Sequence, residues 1–150
     1  MSTRLPAQER KAAVLEESWS RLRALWEAAV DEEPDPRFWV GAMGRAYFAA
    51  KDPKVMCAEL WMQALVEASD DTEIRKFLRK QMRDVHDYVS DVIRSSQAAG
   101  GVFPERDPSA EAWIFISIGL LGTVGRRVGR LLEDDFDAII ASRRAWMAGV

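Results

Sequence analysis

The sequence predicts an all-α protein, a single six-helix domain. Three observations carry this reading. Every apolar repeat has a helical period, three Asp-Pro pairs sit where helices would open, and no stretch alternates in the two-residue rhythm of a strand. At 150 residues the chain is long enough to bury one core. No repeat, low-complexity tract or linker divides it, so residues 1–7 read as a disordered N-terminal segment and 8–150 as one helical domain.

The first helix runs from Gln8 to Val30, where Leu15, Trp19, Leu22, Trp26 and Ala29 recur at alternating four and three between charged residues. Asp35-Pro36, Asp52-Pro53 and Asp107-Pro108 then open helices over about 36–50, 53–69 and 108–130. In each, the aspartate oxygen caps orphan N–H groups and proline suits the first helical position. The 53–69 helix is apolar nearly all round (Val55, Met56, Leu60, Trp61, Met62, Leu65, Val66) and is expected to be the most enclosed. A fourth start lies at SDDTEIRKF, where Asp70 and Glu73 have capping-box spacing. That helix reaches about Ala99, with Ile74, Leu78, Val85, Val89 and Val92 on one face and Gly100 and Gly101 as C-cap residues. The last helix, about 134–148, puts Phe136, Ile139, Ile140 and Met147 on one side.

Composition excludes several function classes. The chain is 48% hydrophobic and 30% charged, a globular balance, and its net charge of −3 offers no general attraction to nucleic acid or anionic membranes. The longest uncharged run, AWIFISIGLLGTVG between Glu111 and Arg126, has 14 residues, below the ~17–25 of a spanning helix. The polar start MSTRLPAQERKAAV lacks the apolar core of a secretion signal. One cysteine, Cys57, forms no internal disulfide and suits a reducing cytoplasm. The expectation is a cytoplasmic protein with no membrane partner.

No catalytic or metal constellation assembles. His86 is the sole histidine, without Glu-x-x-His spacing, and reads as a satisfied, partly buried side chain; no metal and no cofactor are expected. Cys57 lies early in an apolar helix and reads as a small core residue. His86, Glu59 and Tyr47 are the groups an enzyme would have to use, and nothing in their spacing joins them, so no enzyme is expected. The basic run RKFLRKQMR interleaves with Phe77, Leu78 and Met82 among acidic neighbours and reads as a solvated amphipathic face. Aromatics and methionines concentrate in the middle helices. Trp39, Met43, Tyr47, Met56, Trp61 and Met62, with His86 and Trp113 from later helices, are either core or the lining of a small-molecule pocket.

The arrangement from Gln8 onward resembles the C-terminal ligand-binding and dimerisation domain of TetR-family transcriptional regulators. The resemblance is carried by ERKAAVLEESWSRLRALWE as the first helix and by the closing pattern IRSSQAAGGVFPERDPSAEAWIFISIGLLG. That pattern is a long helix, a glycine turn, a short extended piece, Asp-Pro and an apolar helix. The resemblance implies a sensor of an apolar or amphipathic small molecule, with the eight aromatic, methionine and histidine positions above as ligand-binding candidates. It also implies a homodimer formed through the last two long helices. The family's N-terminal helix-turn-helix of about fifty residues has no counterpart ahead of Gln8, so direct nucleic-acid binding by this chain is not expected. A ligand-free helical interaction module is the alternative.

The segment GLLGTVGRRVGR, 119–130, holds four glycines in twelve positions, where a helix interior loses ~1 kcal/mol per glycine against alanine. It lacks both the G-x-G-x-x-G spacing and the lysine of a phosphate loop. At ~100° per residue, Trp113, Ile116, Leu120 and Val124 share one side and Gly119, Gly122, Gly125 and Gly129 the other. The bulky side is expected to meet the domain's own core. The glycine side, with Phe115, Ile118 and Ile140, is expected to form a dimer interface. A close contact with another helix of the same chain is the alternative.

Overall fold

A computed structural model describes residues 7–52, Val55 and 58–150. Among these residues the chain forms six α-helices, one 3-10 turn and no strand. The helices are α1 (Ala7–Glu32), α2 (Trp39–Ala49), α3 (Ala58–Glu67), α4 (Thr72–Ala98), α5 (Pro108–Arg127) and α6 (Phe136–Ala148), with the 3-10 turn at Pro36–Phe38.

Two of the Asp-Pro openings are seen directly. The Asp35 carboxylate accepts from Arg37 N at 3.0 Å, and Asp107 accepts from Ser109 N at 3.0 Å, each ahead of a proline in the first turn. Pro53, Met56 and Cys57 lie outside the described residues, so the third opening does too. The start of α4 differs by one residue from the sequence expectation. Asp71, not Asp70, is the cap, accepting from Glu73 N and Ile74 N at 3.0 and 3.1 Å. Glu73 thereby sits at the second helical position, out of reach of a capping box.

The α4 C-terminus closes in a Schellman motif, with Gly100 at φ 87°, Gly100 N bonded to Gln97 O and Gly101 N to Ser96 O. Gly101 lies so close to the Arg37 backbone that a Cβ would fall 2.4 Å from Arg37 O. α5 ends at Arg127 rather than near 130. Gly129 and Arg130 both take φ of 61° and turn the chain, with Leu131 N bonded to Gly125 O.

The core has two parts. Trp26, Met43, Val89, Val92, Ile93, Val102 and Ala112 form the larger, and Leu15, Ala64, Ile74 and Leu78 the smaller. The expected α4 face is largely this core, with Val85 at its half-buried margin. Contrary to expectation, α3 is not the most enclosed helix. It packs on α1 and α4 alone, burying Ala64 and leaving Met62, Leu65 and Val66 exposed.

α5 meets the sequence expectation only in part: of its bulky side, Ile116 and Leu120 line the internal space and Val124 is half-buried. Trp113 and Leu120 of the bulky side are exposed, whereas Glu111, Ala112 and Thr123 are buried. The glycines face inward to side chains of the same chain. A Cβ at Gly119 would stand 3.4 Å from the Tyr47 ring, at Gly122 3.2 Å from Phe48, and at Gly125 3.1 Å from Leu132. Room for aromatic rings of α2, not for a second backbone, is what Gly119 and Gly122 supply. Gly129 has left the helix for the turn. By length and composition α5 is apolar enough to cross a membrane. Its buried Glu111 is bonded to α6, which makes it a helix of the bundle.

Candidate functional site

α6 is held to the rest of the domain at its two ends and by one buried carboxylate. Phe136 packs edge-on against Phe48 at 4.7 Å, and Phe103 N donates to Met147 O at 2.7 Å. In between, Glu111 of α5, 5% exposed, accepts from Trp146 Nε1 at 2.7 Å and from the Arg143 guanidinium. These contacts hold α6 as a wall standing off α2 and α5.

The space between α1, α2, α4, α5 and α6 is a cavity of about 1060 Å³, partly open to solvent, just above the ~300–1,000 Å³ range of small-molecule sites. Glycines help to hollow it. Gly44 and Gly119 line the wall, and a Cβ at Gly44 would come no nearer than 3.9 Å to Phe115. One end is aromatic. Trp26 stacks on Tyr88 at 5.9 Å and meets Trp19 and Phe115 edge-on at 6.0 and 5.8 Å. Trp19, Trp26 and Phe115 all face the cavity.

A few polar groups punctuate the apolar wall. The Gln81 amide donates to Leu15 O at 2.8 Å and accepts from Trp61 Nε1 at 3.1 Å, joining α1, α3 and α4 at one margin. The Tyr47 hydroxyl lies 3.4 Å from Gly119 O. Burial pushes its phenol above the ordinary tyrosine range, and the Thr123 hydroxyl and Arg126 charge offset part of that. Arg45, Arg143 and Arg144 reach the wall from α2 and α6.

Of the predicted ligand residues, Tyr47 and Trp61 line the cavity. Trp39 and Met43 do not; Met43 is 1% exposed in the core and Trp39 packs against it, its indole bonded to Glu33 O. Met62 faces solvent. Met56 lies outside the described residues. His86 is buried between α4 and α5, its Nε2 3.0 Å from Ser109 O, and its ring stacks on Trp113 at 4.3 Å, away from the cavity. Of the predicted interface residues, Phe115, Ile118, Gly119 and Ile140 line the cavity. Sequence reasoning missed Trp19 and Trp26 as wall residues, reading them only as part of the apolar stripe of the first helix. It also missed Gln81, Glu111 and the arginines, whose helical spacing looks like that of any solvated face.

Among the described residues no group of His, Cys, Asp or Glu could hold a metal ion. Residues 36–118, over half of the chain, match the family model of the C-terminal domain of BetI-type transcriptional repressors. The chain therefore belongs to the TetR family through its C-terminal regulatory domain, which is not an enzyme class. No curated protein and no solved structure matches it.

Proposed function

We propose that this chain is the ligand-sensing, dimer-forming domain of a cytoplasmic TetR-like regulator, and that its cavity receives an apolar or amphipathic small molecule. The carrying observation is the cavity of about 1060 Å³ walled by Trp19, Trp26, Tyr47, Phe48 and Phe115. A ligand-free interaction module, the alternative reading, would fill such a space with side chains, because voids in a core cost stability.

Dimerisation in this reading uses the outward side of α5 and the turn after it. Trp113, Ile114 and Leu121 on α5, and Val128 and Leu131 just after it, are 37–64% exposed. Exposed apolar residues gathered on one element and the turn after it favour a self-complementary two-fold contact.

Binding is tested with the neutral fluorophore N-phenyl-1-naphthylamine. Saturable enhancement with energy transfer from tryptophan, weakened by filling the cavity with Gly44→Leu, is the expected result. Absence of saturable binding by a folded protein would refute the reading.

A further inference from the structure

Three of the charged residues on the cavity wall have partners on the protein. Glu111 holds Arg143, and Arg37 is paired with Asp35 at 2.6 Å. Arg45 on α2 and Arg144 on α6 line the same cavity, and among the described residues neither makes a hydrogen bond or ion pair.

Two anchors set the relative direction of the helices that carry them. Phe48 meets Phe136 at 4.7 Å, joining the end of α2 to the start of α6. At the opposite end, Gly101 packs on the Arg37 backbone while Phe103 N bonds Met147 O. α2 and α6 therefore run antiparallel along the cavity. Gly41 lies seven residues back from Phe48, and Arg144 eight residues on from Phe136. At a rise of ~1.5 Å per residue these are about 10.5 and 12 Å from the phenylalanine pair. The Arg45 side chain folds back over Gly41, its Nη1 3.1 Å from where a Gly41 Cβ would stand. The Arg45 cation and the backbone position of Arg144 thus fall at a similar height along the two facing helices. The remaining wall charge, Asp137, sits beside Phe136 at the other end.

Two guanidinium groups beside an apolar space repel each other and have donors to spare. An oxyanion between them removes the repulsion and accepts paired N–H bonds, as carboxylates do from arginine. We propose that the ligand is an amphipathic anion, with a carboxylate-type head between Arg45 and Arg144 and an apolar tail running toward Trp19 and Trp26. This rests on the cavity being a ligand site.

The test is displacement of N-phenyl-1-naphthylamine from the whole chain by decanoate, decanol and decyltrimethylammonium, which share a tail and differ in head charge. Decanoate is expected to bind about tenfold or more tightly than decanol, with the advantage shrinking as salt rises. Arg45→Ala combined with Arg144→Ala should bring decanoate to the level of decanol and leave decanol unchanged. Both side chains are exposed, so the variant should keep its helicity. Equal binding of decanol and decanoate, tightest binding of the cation, or a decanoate preference that survives the double substitution would each overturn the anion assignment and leave the cavity reading standing. Failure of the fluorophore and all three decyl compounds to bind would overturn the cavity reading itself.

Discussion

The indole N–H of Trp146 on α6 donates at 2.7 Å to the carboxylate of Glu111, a side chain of α5 that is 5% exposed. The same carboxylate takes the Arg143 guanidinium, so a charge that would be costly in the interior is satisfied by two donors of one helix. Apolar contact alone does not hold α6, and this cluster fixes where that wall of the cavity stands.

Removing one partner should expose the cost. Arg143→Ala leaves Glu111 buried with a single donor and is expected to destabilise the fold by about 2–4 kcal/mol. That is below the toll of a deeply buried pair because the Arg143 side chain is 26% exposed. Adding Glu111→Leu should restore much of the loss. Urea unfolding of both variants checks this, and an unchanged midpoint for Arg143→Ala would contradict it.

The glycines should divide by their neighbours. Gly44→Ala meets only ordinary contact at 3.9 Å in the middle of α2, so the gain in helix propensity should stabilise by about 0.5–1 kcal/mol. In thermal melts that is a rise of roughly 1–4 °C. Gly101→Ala would place its Cβ 2.4 Å from Arg37 O, a backbone atom without freedom to move. A loss of about 2 kcal/mol or more is expected.

Oligomeric state tests the outward side of α5. Leu121→Glu with Val128→Glu, both at exposed positions, should convert a dimer to a monomer with unchanged helicity in sedimentation and circular dichroism. Gly122→Leu should instead damage the Phe48 packing and lower stability. A wild-type chain monomeric at high micromolar concentration would remove the dimer.

Both tyrosines should ionise late. Burial is the main cause for Tyr47 and Tyr88 alike, with the Glu27 charge adding at Tyr88. An acid whose folded value lies above its unfolded one keeps its proton longer in the folded state. Stability is therefore unaffected below the ordinary value of ~10 and falls as pH rises above it. Tyrosinate absorbance should rise above that pH, and Tyr47→Phe should remove the component belonging to the cavity wall.

The helices and most of their ends were legible in the sequence because their causes are local. Asp35 and Asp107 cap the residues two positions ahead, Gly100 supplies a positive φ, and apolar spacing marks α1 and α4 whatever lies beside them. Asp70 and Asp71 compete for one cap, and the backbone at Asp71 decided between them. The site was legible only in part. Tyr47 and Trp61 were found, but Met43 and His86 carry the same residue chemistry and are packed into solid structure.

The four glycines show where sequence stops. Helical geometry separated Gly119 and Gly122 from Trp113 and Leu120 onto opposite sides of α5, and it did so correctly. It could not say which side has the domain's interior for a neighbour. That was decided by Tyr47 and Phe48, whose rings need the room that missing side chains leave. The period of a helix is written in the helix itself. Its orientation and the cavity beside it are set by residues far away in the chain, through packing that exists only once all the helices are in place.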